Sequence, residues 1–178
     1  MEINTFANPY PYVSKNIDCF IAQFFRLTNN DTLIEQYGLQ EFSLNVLDKR
    51  QTMTEKLVSL IRFSLSDNYI YDLASKIRHF YDLHYLLQDE ECANYLHSEQ
   101  FKIDFNSLLE HDRETFDKPD GWSAMDIALS PLLSNFPDIW SCLKGTYLKE
   151  LPAIAFSDIP NEVVVAKSFE EIIYKIVK

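Results

Sequence analysis

Apolar residues recur at three- and four-residue spacing through most of this chain, and alternate strictly with polar ones only in short stretches. The first periodic run is Ile17, Phe20, Ile21, Phe24 and Phe25, with Ser14 placed to cap a helix. A short helix over "DTLIEQYG" ends at Gly38. "FSLNVLD", residues 42–48, alternates and predicts a strand, and residues 2–7 predict another, followed by an extended "NPYPY". Thr52 and Glu55 have the spacing of a capping box, opening a helix with an inner stripe of Met53, Leu57, Leu60, Ile61 and Ser64. The link "SDNYI" leads to a helix from about 71 to 87, whose stripe is Leu73, Ile77, Phe80, Tyr81, His84 and Leu87. Further helices are expected at 91–97, 99–116, 136–150 and 168–177. "KPDGW" breaks the chain, residues 123–133 fit no single pattern, and "EVVVA" reads as a possible strand. The pattern is α+β and predominantly helical, with two or three short strands. It forms one domain over 1–178, in which 1–50 supply strands and a helix and 51–178 a helical region.

Composition supports that pattern and narrows the function. Hydrophobic residues are 47% of 178, enough for a packed core, and only three glycines are present, too few for phosphate-cradling glycine loops. The net charge of −11 excludes a broad basic surface for nucleic acid, although a small basic site is compatible with it. Cys19, Cys92 and Cys142 are widely spaced and form no CxxC pair, which predicts reduced thiols in a cytoplasmic protein. The start "MEINTFANPYPYV" is not a signal peptide, and no apolar run approaches the ~20 residues of a membrane span.

Candidate chemistry concentrates in "KIRHFYDLHYLL", Lys76–Leu87, and in the helix before it. A short link predicts an antiparallel hairpin. Lys56 lies about nine residues before the link and Asp82 about eleven after it, roughly 14 and 17 Å along their helices, so they reach the same level. Asp82 shares a face with Arg78 at i−4, and that face flanks the inner stripe. Lys56, Arg78 and Asp82 then open on a common groove. Two cations beside a carboxylate suit a polyphosphate. The same Arg–Asp spacing is also that of an ordinary solvated ion pair worth a few tenths of a kcal/mol, and spacing alone leaves both readings standing.

Other titratable groups offer less. His79 and His84 fall on different helix faces, unlike the i,i+4 pair of a zinc helix, and His84 reads as a hydrogen-bonded core residue. His111–Asp112 lacks the further ligands of a metal phosphohydrolase. The cysteines have no base beside them in sequence, and Trp122, Trp140 and Tyr147 read as core or partner-contact residues.

"VLDKRQTMTEKLVSLIRFS" followed by "KIRHFYDLHYLL" resembles the carboxy-terminal half of AbiEii/AbiGii-type nucleotidyltransferases, the toxins of type IV toxin–antitoxin and abortive-infection (phage defence) systems. "ANPYPY" and the W…L…Y…L spacing over 140–151 extend the likeness to residues 4–177. The resemblance implies polymerase-β-like transfer of a nucleotide from an NTP, with Mg²⁺, to a tRNA or protein acceptor. It implies that Lys56 of "EKL" contacts the nucleotide phosphates and acts in catalysis. Asp82 of "YDL" is then the acidic catalytic residue of the last motif, and Arg78 the nucleotide-binding arginine that opens it. His79 stands where many members carry Asp.

The family's glycine turn and Asp-x-Asp metal pair have no counterpart in this sequence. Residues 1–178 are therefore expected to correspond to the carboxy-terminal half of such an enzyme, as a fragment, a late start or a natural remnant. On that expectation the chain by itself is inactive and holds no metal tightly, since two-metal transfer needs those carboxylates. The alternative is a non-catalytic helical protein-interaction module. Either way, strands without sheet partners predict a homo-oligomer.

Overall fold

The computed structural model describes residues 12–155 and 158–177 and divides the chain into two compact units, 1–51 and 52–178. The first contains β1 (Tyr12–Ile17), α1 (Phe20–Leu27), α2 (Asp31–Gln36) and β2 (Phe42–Leu47). β1 and β2 pair antiparallel from Tyr12 opposite Leu47 to Ile17 opposite Phe42. One face of this ribbon is apolar through Val13, Val46, Leu44 and Ile17. The other is polar, and Ser43 Oγ donates to Asn16 Oδ1 at 2.8 Å.

Ser14 is thus a strand residue, not a helix cap. Pairing with β2 claims residues 12–17, and α1 begins later, with Cys19 Sγ accepting from the Ala22 amide at 3.3 Å. The helix also faces the opposite way from the expected stripe. Ala22 is buried, whereas Phe20, Ile21 and Phe24 are exposed. Gly38 ends the α2 segment as expected: its φ of +63° is a left-handed turn that a Cβ would disfavour, and Leu39 N then reaches Ile34 O at 2.9 Å. The strand expected over residues 2–7 and most of the extended "NPYPY" lie outside the described residues.

The second unit is all helix. α3 (Lys49–Ser64) begins a turn before Thr52, so Thr52 lies inside it. Asp48 Oδ1 instead accepts from the Arg50 amide at 2.8 Å, an N-terminal cap whose carboxylate is held below its ordinary range by the Arg50 guanidinium. The expected stripe of Met53, Leu57, Leu60, Ile61 and Ser64 is buried throughout. α4 (Tyr69–Ser75) and α5 (Ile77–Gln88) replace the single helix expected over 71–87. The chain breaks at Lys76, with φ −107° and ψ 15°. α6 (Glu90–Leu96) and α7 (Glu99–Thr115) follow, capped by Asp89 and Ser98. After the break at 116–121 come two single 3₁₀ turns and the short α8 (Pro131–Ser134), which Pro131 opens from its favoured first position. α9 (Phe136–Ile154) and α10 (Glu162–Val177) complete the unit.

"EVVVA" is the first turn of α10, not a strand. Val165, Phe169 and Ile172 repeat at helical spacing and are buried, so packing outweighs the weak β preference of the valines. The core forms where α5 meets α9 and α10. The Phe80 ring lies 4.8 Å from Phe169 edge-on, 5.4 Å from Trp140 and 6.2 Å from Phe136. His84 belongs to the same interface, as expected of a core histidine. Its Nδ1 is 2.7 Å from Ser168 Oγ on α10, and Gln88 Nε2 lies 2.8 Å from its Nε2.

A second anchor ties α3 to α7. Arg62 Nε sits 3.0 Å from Asp112 Oδ1, which also accepts from Trp122 Nε1 at 2.8 Å, while Arg62 Nη1 donates to Lys118 O at 3.1 Å. The Arg62 guanidinium lies 4.1 Å from the Phe116 ring centre. Burial pushes Asp112 up and Arg62 down, and the Arg62 charge favours the ionised form of Asp112. Asp112 is therefore committed to structure and does not form a metal site with His111.

Phe80 is 1% exposed and touches three other rings, so Phe80→Ala removes the centre of the cluster. Urea unfolding followed by circular dichroism is expected to show a loss of about 3–5 kcal/mol.

Candidate functional site

Lys56 and Asp82 are held by elements that bury their opposite faces. α3 commits Met53, Leu57 and Leu60 to the core, and α5 commits Ile77, Phe80 and Leu83. On α3 this leaves Lys56 at the flank, and on α5 it leaves Arg78 and Asp82 there. Lys56 Nζ lies 2.8 Å from Asp82 Oδ2, and Arg78 Nε lies 4.0 Å from the same oxygen. All three predicted site residues therefore converge, although α3 and α5 are joined through a separate helix, α4, and not by a single short turn.

Exposure is graded across the cluster. The Lys56 side chain is 13% exposed, Asp82 26% and Arg78 58%. The lysine is held inside, the carboxylate bridges, and the arginine reaches into solvent. A cavity of about 240 Å³ lies elsewhere, lined by α9 and α10 residues that include Phe136, Trp140, Lys144 and Glu162. The cluster is a surface feature built from side chains of two helices.

Sequence reasoning set His79 aside, yet it belongs to this charged neighbourhood. Burial, reinforced by the positive charges of Lys56, Lys76 and Arg78, pushes its imidazole down to about 3. Its Nδ1 is buried with no hydrogen-bond partner. A fourth cation is thereby avoided where three already meet. Lys76, at the break between α4 and α5, was also not singled out. Its Nζ lies 4.9 Å from the Phe63 ring centre. The visible signal for both was their place in the run Lys76-Ile77-Arg78-His79.

The chemistry available here is anion binding. Charge-assisted hydrogen bonds from ammonium and guanidinium groups grip phosphate oxygens, and partial withdrawal from water strengthens them. A family model described as "Nucleotidyl transferase AbiEii toxin, Type IV TA system" matches residues 1–172. The chain belongs to the AbiEii nucleotidyltransferase toxin family. No curated protein and no solved structure matches it. As an AbiEii family chain, it carries "EKL" on α3 and "RHFYDL" on α5, and the fold brings the lysine of the first against the aspartate of the second. No helix among the described residues is long and apolar enough to cross a membrane.

Nucleotidyl transfer by a family of this kind implies Mg²⁺. Mg²⁺ favours one or two carboxylates together with substrate phosphates in near-octahedral geometry. Asp82 offers one carboxylate, already faced by Lys56 and Arg78. Among the described residues no three His, Cys, Asp or Glu side chains gather as metal ligands would. These residues do not fit a magnesium clamp; they fit an anion.

The state of His79 has a measurable consequence. Its ordinary value is 6.5, and the fold holds it near 3, so between these values protons bind preferentially to the unfolded chain. Stability is complete above about pH 7 and falls as the pH drops through 6.5 toward 3. At pH 5 the loss from this group is expected to be about 1–2 kcal/mol, reduced from the full linkage value for partial solvation. His79→Gln should remove that difference between pH 7 and pH 5 in denaturant titrations. An unchanged pH dependence would show that the imidazole is solvated.

Proposed function

We propose that the Lys56–Arg78–Asp82 cluster is the phosphate-holding part of a nucleotidyltransferase site of the AbiEii type. Lys56 and Arg78 bind the polyphosphate of an NTP. Asp82 fixes Lys56 and serves as the acidic catalytic residue of the last motif. The acceptor is a tRNA or a protein, in keeping with a toxin of a type IV system acting in phage defence in the cytoplasm. The observation that carries this reading is the 2.8 Å approach of the "EKL" lysine to the "YDL" aspartate, two motif residues twenty-six positions apart in the chain and on separate helices.

The roles follow from the charges. In the free protein Asp82 balances two cations and keeps Lys56 in one position. An arriving triphosphate competes with Asp82 for Lys56 and draws Arg78 inward from solvent. Holding phosphates does not activate a nucleophile, and with a donor set unsuited to Mg²⁺ the residues 1–178 alone do not transfer a nucleotide. Their contribution is orientation and charge neutralisation in the last part of a larger site, as the carboxy-terminal half of the enzyme. A non-catalytic interaction module is the second reading, favoured by one observation, the apolar residues that α1 exposes.

Binding of ATP and GTP to the pure chain tests the first reading. Lys56→Ala and Arg78→Ala are each expected to weaken binding about tenfold, a loss of one charge-assisted contact. Asp82→Asn is expected to strengthen it, because the competing carboxylate is gone. Raising the salt concentration should weaken binding, most through the exposed Arg78. In the companion assay, labelled NTP, Mg²⁺ and total tRNA are incubated with the chain, and no label transfer is expected. Transfer that Asp82→Ala abolishes would make residues 1–178 a complete enzyme.

A further inference from the structure

The eight residues of α1 bury only Ala22 and turn their largest side chains outward. Phe20 is 86% exposed, Phe24 59% and Leu27 83%, and the i, i+4, i+7 spacing places the three on one ridge with Ile21 beside it. A soluble helix normally presents the reverse arrangement. Together these side chains expose on the order of 500 Å² of apolar surface, near the largest patch found on ordinary monomers. Among the described residues, β1 pairs with β2 and with no other strand. The only fully buried apolar side chains described in residues 12–51 are Ala22 and Ile34. So small a core calls for cover from outside.

Charge indicates which cover fits. Residues 1–51 carry four basic and six acidic side chains, whereas the remaining 127 carry twelve and twenty-one. Two copies of this acidic chain repel each other over most of their surface, and the first unit is where that repulsion is weakest. The ridge itself is uncharged apart from Arg26 beside it, which is paired with Asp18. It offers no charge pattern that would select a basic or an acidic partner. It is self-complementary in the way a two-fold interface requires: the same patch on both sides.

We infer that α1 is a homodimer interface, in which the Phe20–Phe24–Leu27 ridges of two chains pack against each other across a two-fold axis near Phe24. Two such ridges together bury on the order of 1,000 Å², the threshold for a specific interface.

Sedimentation equilibrium and light scattering on the full chain test this. A dimer is expected within roughly 1–100 µM, the range of a small apolar interface. Phe24→Glu and Phe24→Lys should each weaken association at least tenfold while leaving the far-ultraviolet circular dichroism unchanged, since the side chain is exposed. An equimolar mixture of the two should restore the dimer, because opposite charges then meet at the axis. Leu27→Glu gives a second readout should either Phe24 variant misfold. Val163→Glu, an exposed apolar position on α10, should leave the dimer intact. A wild-type chain that stays monomeric across this range overturns the proposal, as it would if the ridge is covered within its own chain or by a different polypeptide. A dimer dispersed by Val163→Glu and not by the α1 variants overturns it equally.

Discussion

The packing of Phe80 among Phe136, Trp140 and Phe169 is the contact on which the second unit depends. It fixes α5 against α9 and α10, and α5 carries both Arg78 and Asp82. Rings at 4.8–6.2 Å in stacked, tilted and edge-on arrangements hold the helix rotation more narrowly than aliphatic packing would. The His84–Ser168 hydrogen bond one turn further on restrains the same rotation with a directional contact. A rotated α5 would carry Asp82 away from Lys56, whose side chain is only 13% exposed and has little freedom to follow. The site therefore inherits its geometry from an apolar core that takes no part in its chemistry.

The electrostatics of the cluster follow from the same burial. Lys56 and Arg78 face one carboxylate, and the adjacent imidazole, which also feels the charge of Lys76, stays neutral because a further charge there would be desolvated and repelled. The neutral His79 adds no charge of either sign, so the two cations outnumber the Asp82 carboxylate. That excess suits a ligand bringing several negative charges. The contrast with the Arg62–Asp112 pair is instructive. There one cation and one carboxylate are buried together, with Trp122 donating to the carboxylate and a backbone carbonyl accepting from the guanidinium, so the two charges balance. At the Lys56 cluster, by contrast, two cations face a single, partly exposed carboxylate.

The two units of the chain differ in how they reach stability. The second has a continuous core of aromatic and aliphatic side chains drawn from α3 to α10. The first is a two-stranded ribbon with two short helices, an arrangement that is marginal in water without further strands or a packed helix. Its apolar residues are present in the sequence but are not consumed by its own fold.

Much of the second unit was legible in the sequence, because a helix buried on one side writes its face into the spacing of apolar residues. The stripe from Met53 to Ser64 and the core position of His84 follow from that rule, and Trp122, Trp140 and Tyr147, read as core or partner-contact residues, are buried. The approach of Lys56 to Asp82 was expected from a family motif and from one short link between their helices, but the chain reaches it through α4 instead of that link. Three features were not legible. The break at Lys76 carries no proline or glycine, and the apolar spacing of Leu73, Ile77 and Phe80 runs straight through it. The helical "EVVVA" went against local propensity because Val165, Phe169 and Ile172 had a core to enter. In the first unit, Ser14 and the phenylalanines of α1 have the spacing of a capped, inward-facing helix, but a strand partner thirty residues away claimed the former and no core received the latter. Sequence determines which residues can share a face, through local periodicity. Which face is buried depends on what the rest of the chain places against it, and that is decided only in three dimensions.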